Sequence, residues 1–188
     1  MRKLLFFLIL VSVCQFTAQA QDDVSPIEVF GGYSYLKTGS SYDQNSHGWN
    51  TSVSGNITRH FAVKADFAGH YDRYTTRNIN VDTSLHTFLF GPQFNLRASD
   101  RVNPFIHAIF GVARDTARAT QGNAQTVVAD TGFAMAIGGG VDAKLADHIS
   151  WRVFQTDYLL TRYRNPYRLP VRKENVNHFR VSTGLVFH

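Results

Sequence analysis

Seven charged residues share the polar face of the segments that carry them, and they are the first candidates for chemistry. They are Glu28, Lys64, Asp66, Asp142, Arg152, Asp157 and Arg180. The set contains four acids and three bases, so it is close to neutral. An unpaired buried ion is costly, so charges that are enclosed together must pair and hydrogen-bond with one another. The set predicts a mutually paired polar interior, and a gated narrow passage is the alternative.

A second group of charges lies near the end of the chain and is strongly basic. Residues 161–174 carry Arg162, Arg164, Arg168, Arg172 and Lys173, with two tyrosines between them. The planar fork of arginine fits phosphate oxygens, and tyrosine favours the boundary between an apolar phase and water. We expect this segment to contact phosphate groups, and a solvated charged loop is the alternative.

His148 and Ser150 are the pair that most resembles a catalytic base and nucleophile. Such chemistry also needs a carboxylate that orients the histidine. No carboxylate follows Ser150 at short distance except Asp157, which is predicted to point inward. The 8 histidines of the chain show no convincing metal-site spacing. We therefore expect no enzymatic activity, no metal and no cofactor.

The glycine run 138–140 is not a phosphate-binding loop. The strand pattern continues through Val141 and Asp142, and no helix follows the run. We expect these glycines to allow close strand packing or to leave room for a large neighbour such as Phe154.

The first 20 residues have the pattern of a secretory signal peptide. Arg2 and Lys3 precede an apolar core over residues 4–13, and Ala18 and Ala20 form a small-residue cleavage site. Lipidation of Cys14 is the alternative, but Val13 stands where a lipoprotein box needs a small residue. We expect a signal peptide over residues 1–20 and one domain over residues 21–188.

Charge and hydropathy limit the class of partner. The formal charge is +5, and removal of the two leader cations leaves 17 − 14 = +3. This charge is too small to indicate nucleic-acid binding, and none is expected. No run of about 18 apolar residues follows the leader, so any membrane span must be built from strands.

Eight segments after the leader show the period-two alternation of β-strands. The fifth segment is apolar on both parities, so its facing stays open. Pro92 predicts a bulge in the fourth segment. A bulge near Phe154 in the seventh would return Gln155 and Asp157 to the polar face. The segments are residues 27–36, 49–57, 61–71, 84–96, 103–113, 132–143, 149–160 and 175–188.

The connections between these segments alternate in length. Those after the second, fourth and sixth segments are short. Those after the first, third, fifth and seventh are long and polar, and cover residues 37–48, 72–83, 114–131 and 161–174. Short turns at one end and long loops at the other, with an even strand count, are typical of outer-membrane barrels.

The closing segment carries the strongest resemblance to a known family. One parity places Phe179, Leu185 and Phe187 together, while Arg180 and Ser182 fall on the other. This pattern resembles the last strand of an outer-membrane barrel, although His188 follows the terminal aromatic residue. The domain as a whole resembles the eight-stranded OmpA/OmpX-type barrels. The resemblance implies an all-β, eight-stranded antiparallel up-and-down transmembrane β-barrel in the bacterial outer membrane. The chain stops at this strand, so we expect no OmpA-type periplasmic domain.

The resemblance implies a non-enzymatic integral membrane protein with a structural role in the envelope or a role in surface contact. A narrow channel for ions or small solutes is the main alternative. A soluble carrier barrel of lipocalin type and a lipid A hydrolase, whose His-x-Ser motif resembles residues 148–150, are weaker alternatives. We expect a monomer whose partners are outer-membrane lipids and lipopolysaccharide, the latter bound by the basic segment.

Overall fold

The chain forms a closed antiparallel barrel in which every strand pairs with its neighbours in sequence. The computed structural model describes residues 25–39, 43–76, 79–99, 101–121, 124–165 and 172–188. The predicted signal peptide, residues 1–20, lies outside these ranges. The strands are β1 (Ile27–Gly39), β2 (Asp43–Asn56), β3 (Phe61–Thr76), β4 (Ile79–Asn95), β5 (Val102–Gln121), β6 (Ala124–Ala146), β7 (Ile149–Asn165) and β8 (Arg172–Phe187). The predicted fold class is confirmed.

No helix among the described residues is long and apolar enough to cross a membrane.

The last strand closes the barrel, as its alternation predicts. Strand β8 pairs with β1 from Val29↔Phe187 to Thr38↔His178. Phe179 and Phe187 are about half exposed on the outer surface, whereas Arg180 is fully buried inside. The two parities of this strand therefore face two different environments, as a lipid-facing and a lumen-facing side require.

The outer surface is a continuous band of large apolar side chains. Soluble monomers rarely expose so much contiguous apolar surface, and such a band is expected where lipid covers the protein. Tyrosine and tryptophan also lie on this surface, where Trp49 donates a 3.4 Å hydrogen bond to the Tyr71 hydroxyl. Members of the band on all eight strands include Val29, Val53, Phe61, Phe88, Phe90, Ile106, Phe110, Phe133, Ile137, Trp151, Phe154, Phe179 and Leu185.

The strands extend beyond their predicted bounds at the end where long loops were expected. Most residues of each predicted loop belong to strands, which end at Gly39, Thr76, Gln121 and Asn165 and resume at Asp43, Ile79, Ala124 and Arg172. At this end Arg73 pairs with Asp82 across β3 and β4. Beyond the apolar band both faces of a strand meet water, so polar residues occupy both parities and the alternation disappears. The prediction of long loops was therefore wrong in its bounds.

One of the two predicted bulges is present. Strand β7 shifts its register between Arg152 and Gln155 against β8, and a matching shift lies between Val141 and Asp142 on β6. The shift turns Gln155 inward, as predicted. Around Pro92 the bulge prediction was wrong. The β4–β5 register is the same before and after Pro92, so the missing N–H interrupts the ladder without adding a residue.

Candidate functional site

The interior of the barrel is centred on an ion triad formed by three strands. Arg180 on β8 donates a 2.8 Å hydrogen bond from Nε to Asp157 Oδ2 on β7. Its Nη1 donates another of 2.8 Å to Asp66 Oδ1 on β3. All three side chains are fully buried. Strands β3 and β8 are not neighbours in the sheet, so Arg180 joins opposite walls across the lumen.

Gln155 links this triad to the rest of the interior. Its Oε1 accepts hydrogen bonds from Lys64 Nζ at 3.2 Å and from Arg152 Nη1 at 2.8 Å. Its Nε2 donates to Asp157 Oδ2 at 2.8 Å. The β7 bulge places Gln155 on the inward face, so the local irregularity of this strand makes the connection possible. Sequence reasoning placed Gln155 inside but did not identify it as the central member of the network.

Arg152 forms the second ion pair of the interior. Its Nε and Nη2 donate to the two carboxylate oxygens of Asp142 at 2.8 and 2.9 Å. The guanidinium centre lies 4.3 Å from the ring centroids of both Phe30 and Phe105. The bidentate pair fixes the orientation of the fork, and the two rings cover it by cation–π contact. The inward phenylalanines were not predicted as site residues.

Six of the seven predicted lumen charges are brought together in this way, through direct ion pairs or through Gln155. Glu28 is the exception. It is buried near the mouth formed by the short turns, where Asn56 Nδ2 donates to it at 2.9 Å and Arg97 Nη2 lies 3.4 Å away. Its position two residues after Pro26, at the start of β1, accounts for the separation.

An apolar layer lies next to the ion network, on the side of the predicted long loops. Leu159 follows Asp157 by two residues on β7, and Ile109 follows His107 by two on β5, so both lie one inward position further along outward-running strands. These side chains pack with Leu36, Leu89, Ala113, Ala134 and Ala136, and with the partly buried Leu85. The layer explains why β5 is apolar on both parities and why two leucines interrupt the β4 pattern.

The glycine run of β6 makes space for the network. A Cβ on Gly138 would lie 2.1 Å from Asp157 Oδ1, and one on Gly140 would lie 2.9 Å from Phe105 Cζ. Glycine is therefore required for these buried side chains to approach the β6 wall. The predicted use of the run was correct in kind, but the large neighbour is Phe105 and not Phe154, whose side chain is exposed on the outer surface.

Ser150 does not pair with His148. His148 lies exposed in the β6–β7 turn, and Ser150 Oγ is instead 2.8 Å from Nε2 of His188. Glu28 Oε1 lies 3.9 Å from Nδ1 of this histidine, and Glu28 already pairs with Arg97. That distance is longer than a catalytic hydrogen bond. No group of three or more metal-ligating side chains occurs among the described residues.

The predicted basic segment is described in part. Arg162 is exposed on β7. Arg164 pairs through its backbone with Lys173, and Asn165 pairs with Arg172. These positions belong to the part of the β7–β8 hairpin that continues beyond the apolar band, here called the β7–β8 extension, rather than to a loop. Arg168 lies outside the described residues.

Comparison with known proteins identifies the family of this barrel. Residues 6–185 match the family model described as outer membrane protein beta-barrel domain. No curated protein matches the chain.

Among solved structures, the chain resembles the attachment invasion locus protein Ail of Yersinia pestis in complex with sucrose octasulfate. That match has 15% identity and a TM-score of 0.61, and covers 86% of this chain and 97% of the other. Neisserial surface protein A matches at 14% identity and a TM-score of 0.60, covering 87% and 97%. The Pseudomonas aeruginosa protein OprG matches at 13% identity and a TM-score of 0.50, covering 86% and 94%. At these identities the likeness concerns the fold alone.

Proposed function

Because the chain belongs to the outer membrane protein β-barrel family, we propose that it is a closed, non-enzymatic barrel of the bacterial outer membrane that acts in envelope structure or surface contact. The observation that carries this proposal is the continuous ion network in the lumen. Arg152, Gln155 and Arg180 are each no more than 2% exposed. An eight-stranded barrel is just wide enough for side chains to fill it, and the burial of these three side chains supports a filled interior.

The energetics of the interior oppose conduction. A passing ion would have to separate Arg180 from its two carboxylates, and removal of one partner from a buried pair typically costs about 3–5 kcal/mol. It would also have to pass the adjacent apolar layer, whose own side chains offer no ligand to a desolvated ion. The layer and the network together act as two successive barriers.

A narrow channel is the second candidate function. The observation that favours it is the ion pair between Lys64 Nζ and Asp66 Oδ2, which at 3.7 Å is longer than the 2.7–2.8 Å contacts of Arg180. A gate would open most easily at this weaker contact.

Single-channel recording in planar bilayers distinguishes the two functions. The closed barrel predicts no conductance steps for the wild-type protein or for Lys64→Gln. The channel predicts discrete steps whose size or selectivity changes in Lys64→Gln. Heat-modifiable migration of the protein in the outer-membrane fraction, measured on the same preparation, shows that the recorded protein is folded.

For the surface role, we propose that the β7–β8 extension binds the phosphate groups of lipopolysaccharide or a related polyanion. The five cations at 162, 164, 168, 172 and 173 support this, because guanidinium groups pair well with phosphate and sulfate oxygens. The Ail structure contains sucrose octasulfate, which is itself a polyanion. Retention of the folded protein on vesicles with lipopolysaccharide, compared with a variant carrying Gln at all five positions, tests the proposal. Equal retention would contradict it.

A further inference from the structure

The mouth formed by the short turns encloses a cavity of about 920 Å³. Three connections line it: the β2–β3 turn with Arg59, the β4–β5 turn with Arg97 and Arg101, and the β6–β7 end with Lys144. This volume falls in the range of small-molecule sites, about 300–1,000 Å³. In an outer-membrane barrel the short turns face the periplasm, so the cavity opens to that compartment.

Each described acidic side chain of this cavity pairs with a cation of the chain. Glu28 pairs with Arg97 at 3.4 Å. Asp142 pairs from the interior side with Arg152 at 2.8 Å. The third carboxylate, Asp147, lies 3.0 Å from Lys144, and the hydrogen bond from that ammonium lowers the pKa of the Asp147 carboxyl below its ordinary value.

Two cations at the mouth are left over. The guanidinium groups of Arg59 and Arg101 have no hydrogen-bond or ion-pair partner among the described residues, although both line the cavity. The described part of the mouth therefore presents positive charge on two different turns, from guanidinium groups that have no partner there. Because arginine presents planar pairs of donors, this charge is suited to an oxyanion with two or more acceptor oxygens.

The geometry of Arg97 holds these turns together. Its φ of 43° makes it the one non-glycine residue with a positive φ among the described residues. Its N–H donates to Asn103 Oδ1 at 3.1 Å, and its Nε donates to the backbone oxygen of Arg59 at 2.7 Å. Strained backbone persists where surrounding contacts fix it, and it concentrates at functional sites. Arg97 thus ties the Arg59 turn to its own turn and limits their relative motion.

The rest of the lining adds further polar groups. Ser150 and His188 form a hydrogen-bonded pair there, and Ser25 and Ser99 add hydroxyls to the lining. A lining that combines hydroxyl and imidazole groups with unpaired guanidinium groups suits a ligand with an anionic end and a hydroxylated body. The cavity lies within the ring of strands and so is separated from the lipid-facing surface, which argues for a water-soluble ligand rather than a lipid headgroup.

We propose that the periplasmic mouth binds a soluble sugar-sized ligand that carries a carboxylate or a phosphate, held by Arg59 and Arg101. This site is separate from the lumen network and from the basic segment over residues 161–174. Ligand binding at the mouth therefore does not depend on whether the barrel conducts.

Nuclear magnetic resonance titration of the folded barrel in an uncharged detergent tests the proposal. The probes are N-acetylmuramic acid against the uncharged N-acetylglucosamine, and glucose 6-phosphate against glucose. We expect saturable shifts of the backbone amides around Arg59 and Arg101 with at least one anionic probe and none with its neutral counterpart. The anionic probe that binds more tightly shows whether the site prefers a carboxylate or a phosphate.

The variant Arg59→Gln/Arg101→Gln should weaken binding at least tenfold, since it removes both unpaired charges and leaves Arg97 intact. The matched control is Arg114→Gln/Arg118→Gln, which makes the same change in charge at exposed positions of β5 near the other end of the barrel. It should bind as the wild type does. Heat-modifiable migration confirms that each variant is folded. Absence of saturable shifts with both anionic probes, equal binding of the neutral sugars, or unchanged affinity in the Arg59/Arg101 variant would overturn the proposal.

Discussion

Arg180 donates a 2.8 Å hydrogen bond to Asp66 although the two residues are 114 positions apart in sequence. Their strands, β8 and β3, are separated in the sheet by β1 and β2, so the contact crosses the lumen. A contact of this kind can form only after the barrel has closed. It therefore stabilises the closed state in particular, whereas the hydrogen bonds between neighbouring strands also exist in an open sheet.

Arg152 should be sensitive even to a conservative replacement. Arg152→Lys keeps the charge but loses the bidentate contact to Asp142 and the flat fit between Phe30 and Phe105. We expect a loss of about 1.5–3 kcal/mol in the free energy of unfolding, the range for hydrogen bonds to charged groups. Urea-dependent unfolding in lipid vesicles measures it. The exposed ion pair of Lys144 with Asp147 offers the control, because Lys144→Arg should leave the unfolding midpoint unchanged. An unchanged unfolding midpoint in Arg152→Lys would show that the geometry of the guanidinium fork does not matter.

Gly138 should not tolerate a methyl group. A Cβ there would lie 2.1 Å from Asp157 Oδ1 and 2.2 Å from the backbone oxygen of Thr156. We expect Gly138→Ala to destabilise the barrel by about 1–3 kcal/mol, as overpacking does. Gly55→Ala is the matched control, since nothing lies within 4 Å of a Cβ at that position. The difference between the two unfolding midpoints is the measurement, and equal midpoints would be inconsistent with the described packing around Asp157.

A charge introduced on the outer surface should destabilise the barrel in proportion to the contact of that position with lipid. Phe90 is 55% exposed in the apolar band, and Phe90→Arg should cost about 2–4 kcal/mol if it lies near the bilayer midplane. Phe90→Ala separates the loss of the ring from the gain of charge. Thr120→Arg, in the outer extension of β5, should have little effect. If Thr120→Arg lowered the free energy of unfolding in vesicles as much as Phe90→Arg does, the lipid-facing surface would be misassigned.

Export should remove the first 20 residues of the chain. Ala18 and Ala20 provide the small side chains that signal peptidase requires, so we expect the mature protein to begin at Gln21. Mass analysis of the protein purified from outer membranes gives its N-terminus. A lipid-modified N-terminal Cys14 would contradict this expectation.

Sequence parity predicted the fold because lipid and lumen impose opposite polarity on alternate residues. It worked best where the lumen side is polar, as for Lys64 and Asp66 on β3. It failed to assign β5, because two of its inward residues are apolar: Phe105 covers the Arg152 guanidinium, and Ile109 belongs to the apolar layer. It also missed the outer strand ends, where water on both faces removes the contrast in polarity.

The partners within the candidate site could be predicted only in part. Alternation placed Arg180, Asp157 and Asp66 on the inward side, but it carries no information about which inward residues meet. The contact of Arg180 with Asp66 depends on strand tilt and on the stagger between strands, which accumulate across the barrel. The role of Gln155 depends further on a bulge whose position shifts the register by a residue.

The coupling between Arg180 and Asp66 tests the closed, charge-linked interior most directly. A double-mutant cycle with Arg180→Met and Asp66→Asn, followed by urea unfolding in lipid vesicles, measures it. We expect Arg180→Met alone to cost about 3–5 kcal/mol. Adding Asp66→Asn should recover part of this loss, with a coupling of about 1–3 kcal/mol. Additive effects of the two substitutions, together with the appearance of conductance in planar bilayers for the wild-type protein, would contradict it and favour a hydrated pore.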